Sequence, residues 1–241
     1  MFKKTKKTIA ALIVASGFLF APAAQAVIVP ADIVYVVDYS GSMGGDIAQV
    51  IANIGDFQTA LTAAGIDARY GAVRFGSSIS PDPNLLTDLT DAAGVSAALS
   101  GFPIGGGVEP GSLATTFALN NITWRGGAVK NIILITDEDD DSSLAQFQEA
   151  DALLTRNNAL FNAIGVPGVG NSDSRYGVLT ANHGGTFFNI NDFRNNPAAF
   201  LANFNATKVR EILQTPEPSI MALLGIGIAG IGFASRRRAI A

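Results

Sequence analysis

Ile33-Val34-Tyr35-Val36-Val37, an unbroken apolar run rich in β-branched residues, passes directly into Asp38-Tyr39-Ser40-Gly41-Ser42. Five consecutive apolar residues show no alternation, so both faces of such a strand must be buried, the condition of a strand inside a parallel sheet. The polar residues that follow then emerge at the end of a central strand. Gly41 between two serines permits a tight turn in which both hydroxyls point to one centre.

Outward from this stretch the pattern is strand, loop, helix. Ile47, Val50, Ile51, Ile54, Phe57 and Leu61 recur at helical spacing between Asp46 and Ala64, and Gly65 follows as a stop. A strand is expected at 68–75, a turn at Ser80-Pro81-Asp82-Pro83, a short helix at 92–99 and a loop at Gly105-Gly106-Gly107. A helix at 112–120 then leads to a second apolar strand at 131–135. Beyond it a helix is expected at 143–157, a strand at 160–165, a helical patch at 175–181, a strand at 186–189 and a closing helix at 197–213.

Strands alternating with helices predict an α/β fold with a doubly wound, mostly parallel central sheet flanked by helices, because parallel strands need crossovers and helices supply them. Ligands in that architecture collect at the carboxyl ends of the strands. Two of the most apolar strands end in acids: Val37 runs into Asp38, and Ile135-Thr136 runs into Asp137. If both are central and parallel, both carboxylates reach the same sheet edge. With Ser40 and Ser42 they form an all-oxygen donor set that suits Mg2+, Mn2+ or Ca2+ and does not suit zinc.

Asp38-Tyr39-Ser40-Gly41-Ser42 resembles the Asp-x-Ser-x-Ser metal-ion-dependent adhesion site of the von Willebrand factor type A family. The preceding strand, the glycine loop 105–111 and Ile132-Ile133-Leu134-Ile135-Thr136-Asp137 follow that family's order, so the resemblance spans roughly residues 32–213. It implies that Ser40 and Ser42 bind a divalent ion, Mg2+ foremost, directly, with Asp38 and Asp137 acting directly or through water. The family's remaining ligand is usually a Thr of the middle loop. Here the loop reads Gly107-Val108-Glu109-Pro110-Gly111-Ser112, so Glu109 is the candidate, with Ser112 and Thr115 as alternatives. The implied partner is an extracellular protein or matrix ligand that presents a carboxylate to the ion.

Both ends read as addresses. Lys3, Lys4, Lys6 and Lys7, an apolar run from Ile9 to Phe20, and Ala24-Gln25-Ala26 form a secretory signal peptide over 1–26, too short in its apolar part to span a bilayer. The remaining domain is expected over 27–214. In the segment 215–241, Pro216-Glu217-Pro218 precedes an apolar membrane helix at 220–234, and Arg236-Arg237-Arg238 holds its end in the cytoplasm. This order resembles the PEP-CTERM sorting signal of Gram-negative bacteria. It implies an exported protein, inner-membrane anchored until an exosortase processes it, then surface-bound or extracellular. Gly225 to Gly230 matches a dinucleotide-binding fingerprint by letter alone, since the eleven residues after it cannot complete the required unit.

Between residues 27 and 215 there are nine Lys or Arg against nineteen Asp or Glu, a net charge of −10, which repels phosphate backbones and argues against nucleic acid as a partner. The chain has no cysteine and one histidine, His183, expected at the surface in a turn. Thiol and histidine-triad catalysis are thus excluded or starved of partners. The acidic run Glu138-Asp139-Asp140-Asp141 is expected to be a solvated helix start. A non-enzymatic, metal-dependent binding module is the leading expectation. A metal-dependent hydrolase lacks an evident general base, and a structural matrix protein would use the metal for folding alone.

Overall fold

The computed structural model describes residues 28–215; the signal peptide expected at 1–26 and the membrane helix expected at 220–234 lie outside the described residues. Among the described residues no helix is long and apolar enough to cross a membrane.

Strand β1 (Val29–Asp38) pairs in parallel with β2 (Ile66–Phe75) on one side and with β4 (Val129–Ile135) on the other. Residues Ala31 to Asp38 are all buried, as a strand flanked on both sides and covered on both faces requires. Alternate side chains divide between two cores. Ile33, Tyr35 and Val37, with Ile133 and Ile135, pack under α1 (Gly44–Ala63) and α7 (Pro197–Gln214). Val34 and Val36, with Ile132 and Leu134, pack under α3 (Gly111–Asn121) and α4 (Leu144–Asn157). Each such side chain contributes roughly 1.5–3 kcal/mol of burial, and two buried polar residues within the strands, Asn131 and Asn162, hydrogen-bond each other.

The sheet order is β3-β2-β1-β4-β5-β6, with β5 (Leu160–Gly165) and β6 (Phe187–Asn189) parallel to β4. Its sixth strand, β3 (Asn84–Thr90), is antiparallel to β2, so the sheet is mixed though mostly parallel. The sequence reading gave no strand there. Asn-Leu-Leu-Thr-Asp-Leu-Thr is half-buried throughout, lies at the edge and pairs through a register shift, so it carries neither a continuous apolar run nor a clean alternation. The order reverses between β1 and β4, and at such a reversal the two following loops leave on opposite sides of the sheet and open a crevice.

A π-helical turn, Asp173–Gly177, and three further helices complete the fold: α2 (Ala92–Ser100), α5 (Val178–Asn182) and α6 (Ile190–Asn195). The last was not expected, because it starts directly from β6 with no spacer. At the opposite sheet edge Arg125 closes the bottom of the domain, bonding Asp32 and Asp67 at the beginnings of β1 and β2. Thr215, at the end of α7, lies beside that same edge, sharing a cleft with Trp124, Lys130 and Asn157.

Candidate metal centre

Asp38 is the last residue of β1, and its carboxylate is fully buried in the crevice beyond the strand. Its Oδ1 accepts from the Ser40 backbone N–H at 2.7 Å, which folds the chain back sharply, and its Oδ2 accepts from Thr136 Oγ1 at 2.8 Å. A 3-10 turn, Gly41–Met43, follows and leads into α1. The turn brings Ser40 Oγ and Ser42 Oγ to 3.2 Å from each other, Ser40 buried and Ser42 exposed. Two hydroxyls at this separation and one sheet edge can both donate lone pairs to a shared centre.

Asp137, two residues beyond the end of β4, reaches the same place. Its Oδ1 accepts from Ser42 Oγ at 2.8 Å and its Oδ2 from Arg194 Nη2 at 2.7 Å. The same guanidinium makes a two-pronged contact with Asp46 in the first turn of α1, with bonds of 2.6 to 3.2 Å. Asp38 at the end of β1 and Asp137 just past β4 thus reach one edge, as expected from two apolar runs that lead into aspartate.

Glu109 comes from the loop before α3 and is nearly buried. It meets Asp38 across Gly76, where a Cβ would stand 2.5 Å from Asp38 Oδ1 and 3.3 Å from Glu109 Cγ. Gly76 also has φ +71°, so both its backbone and its missing side chain are needed there. The alternatives for the middle loop are engaged elsewhere. Ser112 Oγ donates to Asp140 Oδ2 at 2.5 Å, and Thr115 Oγ1 donates to the Gly111 carbonyl at 2.9 Å within its own helix.

The acidic run after Asp137 is solvated only in part: Glu138 and Asp141 are exposed, and no helix starts before Leu144. Asp140 is buried and accepts from Ser112 N and Ser142 N, both at 3.1 Å, besides the Ser112 hydroxyl. Asp141 accepts from the Glu109 backbone N–H at 2.8 Å. Together they latch the 138–141 loop to the start of α3, using backbone donors that a helix start leaves free. The helix that follows is capped instead by Ser143 with Gln146 in a capping box. His183 does not stand at the surface as its turn sequence suggested: its side chain is 6% exposed, with Nε2 2.8 Å from Asp151 Oδ1.

Negative charge accumulates at this edge, where Arg194 offsets Asp137 but not Asp38 or Glu109. Burial pushes the Asp38 carboxyl up to about 6; hydrogen bonds from Ser40 and Thr136 oppose the rise, and the Asp137 charge adds to it. Glu109 is pushed up to about 7, first by burial and then by the charges of Asp38, Asp141 and Glu138. A cation would relieve both groups. Among the described residues no three His, Cys, Asp or Glu side chains are grouped to hold an ion by themselves, so any donor set here needs the serine hydroxyls. Hydroxyls and carboxylates are the hard oxygen donors that suit Mg2+, Mn2+ or Ca2+, and in that sense the residues fit the ion.

Sequence reasoning missed three neighbours of these acids. Thr136 had a local signal, standing beside Asp137 at the tip of an apolar strand. Arg194 and Asp46 had none, since they meet only when α6 folds over the start of α1.

Comparison with known proteins places these observations in context. Residues 32–203 match the von Willebrand factor type A domain, and residues 214–238 match the PEP-CTERM protein-sorting motif. Among curated proteins no sequence match was found. Solved structures share the fold. The SpRpn10 VWA domain aligns at TM-score 0.52 and 13% identity, over 66% of this chain and 87% of that one. An aerotolerance-related membrane protein from Bacteroides fragilis aligns at TM-score 0.54 and 14% identity, over 75% and 99% respectively. Proximal thread matrix protein 1 from the mussel byssus aligns at TM-score 0.54 and 17% identity, over 76% of this chain but only 46% of that one.

Proposed function

Because the chain belongs to the von Willebrand factor type A family and carries a PEP-CTERM sorting motif, we propose that it is an exported, metal-dependent adhesion module. Ser40, Ser42, Asp38, Asp137 and Glu109 would hold a divalent ion, Mg2+ foremost. The ion would supply an electrophilic position for a carboxylate of the partner. The observation that carries this reading is the meeting of Ser40, Ser42 and Asp137 at the switch point, with Asp38 and Glu109 raised beside them.

The rim of this edge favours a protein partner. Ile79, Phe102, Ile104 and Val108 are all exposed, in two loops tied to the site by Ser78 N to Gly105 O at 2.6 Å and Gly105 N to Tyr39 O at 2.9 Å. Exposed apolar side chains around a polar centre suit an acidic residue flanked by apolar neighbours, a pattern that polysaccharides do not offer.

Calorimetric titration of the purified protein with MgCl2, MnCl2 and CaCl2 tests the ion, with Asp38→Ala as control. Capture of proteins from the producing organism's surface fraction, with Mg2+ or with EDTA, tests its role. Capture that is equal in EDTA, or unchanged by Asp38→Ala, would overturn the reading.

A further inference from the structure

Within the sheet, apart from the candidate metal residues, a fully buried lysine is held against a fully buried asparagine. Lys208 of α7 contacts Asn162 Oδ1 of β5 and, on its own helix, Glu211 Oε2. Asn162 is fixed at both ends of its carboxamide. Its Oδ1 accepts from the Thr186 backbone N–H at 2.7 Å, and its Nδ2 donates to Asn131 Oδ1 of β4 at 2.9 Å. Glu211 is oriented by its other oxygen, which accepts from Thr186 Oγ1 at 2.7 Å. The rings of Phe188 and Phe204 stand 5.3 and 5.6 Å from Lys208 Nζ and exclude water. Gly185 has no Cβ, and one there would press on the Phe161 carbonyl and Asn162, so the glycine lets Thr186 N–H reach the amide oxygen.

An ion pair alone needs only Lys208 and Glu211. The rest of the arrangement is what acyl transfer requires: a nucleophilic amine, a carbonyl polarised by a backbone donor, a proton carrier and a dry enclosure. We propose that the folded protein joins Lys208 to Asn162 by a covalent amide bond, tying α7 to β5. This is independent of the metal.

The steps balance without a co-reactant. Glu211 takes one proton from the Lys208 ammonium, leaving a neutral amine. The Nζ lone pair attacks Asn162 Cγ, and the carbonyl pair moves onto Oδ1, where the Thr186 N–H holds the developing charge. The second Nζ proton passes through Glu211 to Nδ2. The carbonyl re-forms, the Cγ–Nδ2 bond breaks, and ammonia leaves, taking up the proton left on Glu211 as ammonium. The product is a secondary amide, with no change of oxidation state. Burial assists the first step, since it lowers the Lys208 ammonium to about 8. The chain is cysteine-free, so disulfides offer no alternative cross-link.

Peptide mass spectrometry of the full chain after denaturation and trypsin reads the bond directly. The cross-link protects Lys208 from cleavage and yields one branched species, residues 157–175 joined to 195–210, lighter than the two together by one ammonia. Glu211→Gln keeps the side-chain shape and should return linear peptides, including one ending at Lys208. Recovery of residues 157–175 and 195–208 as separate linear peptides from the wild-type protein would overturn the proposal, whether or not ammonia has been lost within either. A branched species undiminished in Glu211→Gln would overturn the assigned proton route.

Discussion

Arg194 Nη2 donates to Asp137 Oδ2 at 2.7 Å, so a resident cation already stands against one of the carboxylates proposed to hold the metal. Arg194→Gln removes the competitor. Calorimetric affinity for Mg2+ or Mn2+ should rise roughly fivefold, about 1 kcal/mol. Asp46, buried, loses its partner, so stability in urea should fall by about 2 kcal/mol; the value is set below that of a fully buried pair because Arg194 is one-third exposed. A weaker affinity would mean that Arg194 serves chiefly to aim Asp137.

Ser42 is exposed, and its hydroxyl bonds only Ser40 and Asp137. Ser42→Ala should therefore leave the unfolding free energy of the metal-free protein within about 0.5 kcal/mol of wild type while lowering divalent affinity at least tenfold. Equal affinities in the two proteins would remove Ser42 from the ligand set.

Acidity should act in opposite directions with and without the ion. Asp38 and Glu109 hold their protons in the fold up to about 6 and about 7, against 3.8 and 4.5 ordinarily. Their contribution to stability is therefore full in acid and is lost as the pH rises through these values. Binding needs the ionised carboxylates, so affinity for the ion grows across the same window. Melting curves between pH 4.5 and 8 should show a gap between Mg2+ and EDTA samples that widens with pH.

Gly76→Ala places a methyl group against Asp38 Oδ1 on a backbone at φ +71°. The left-handed conformation alone costs roughly 1–2 kcal/mol. The displaced carboxylate should also abolish saturable metal binding, measurable by titration in a variant whose circular dichroism remains native.

Ser112→Ala tests the latch from the acidic run. Asp140 would keep its backbone donors but lose the 2.5 Å hydroxyl bond while remaining buried. A loss of about 1–3 kcal/mol in chemical unfolding is expected. Amide exchange should quicken at residues 138–141 and 109–112, with little change at β1.

The sequence made the central half of the fold legible because burial on both faces leaves an unmistakable mark. Val34 and Val36 serve one core, Ile33, Tyr35 and Val37 the other, and a continuous apolar run is the result. The same strands announce Asp38, where β1 ends, and Asp137, two residues past β4. At the edge the mark fades: Leu86 of β3 leans on one core and Leu85 and Leu89 on the other, all only half-buried, so their spacing resembled a loop. Asp140 misled for a different reason. A run of four acids reads as solvated unless one knows that Ser112, far along the chain, supplies the hydroxyl. Arg194 likewise gave no sign of Asp137, because long-range ion pairs leave no periodicity.

Thr215 leaves the domain beside Trp124 and Lys130, at the edge opposite Asp38 and Asp137. A tether at one edge and an adhesive contact at the other would place the molecule under tension directed along its strands. β1 and β4, paired in parallel over Ala31–Val37 and Val129–Ile135, would both be pulled from their carboxyl ends and move together, so the load would fall in shear on the packing of α7, which leads to the tether, against the sheet. A whole packed face resists such sliding at once, so the placement of the chain's exit would bear on how firmly an adhesive contact holds.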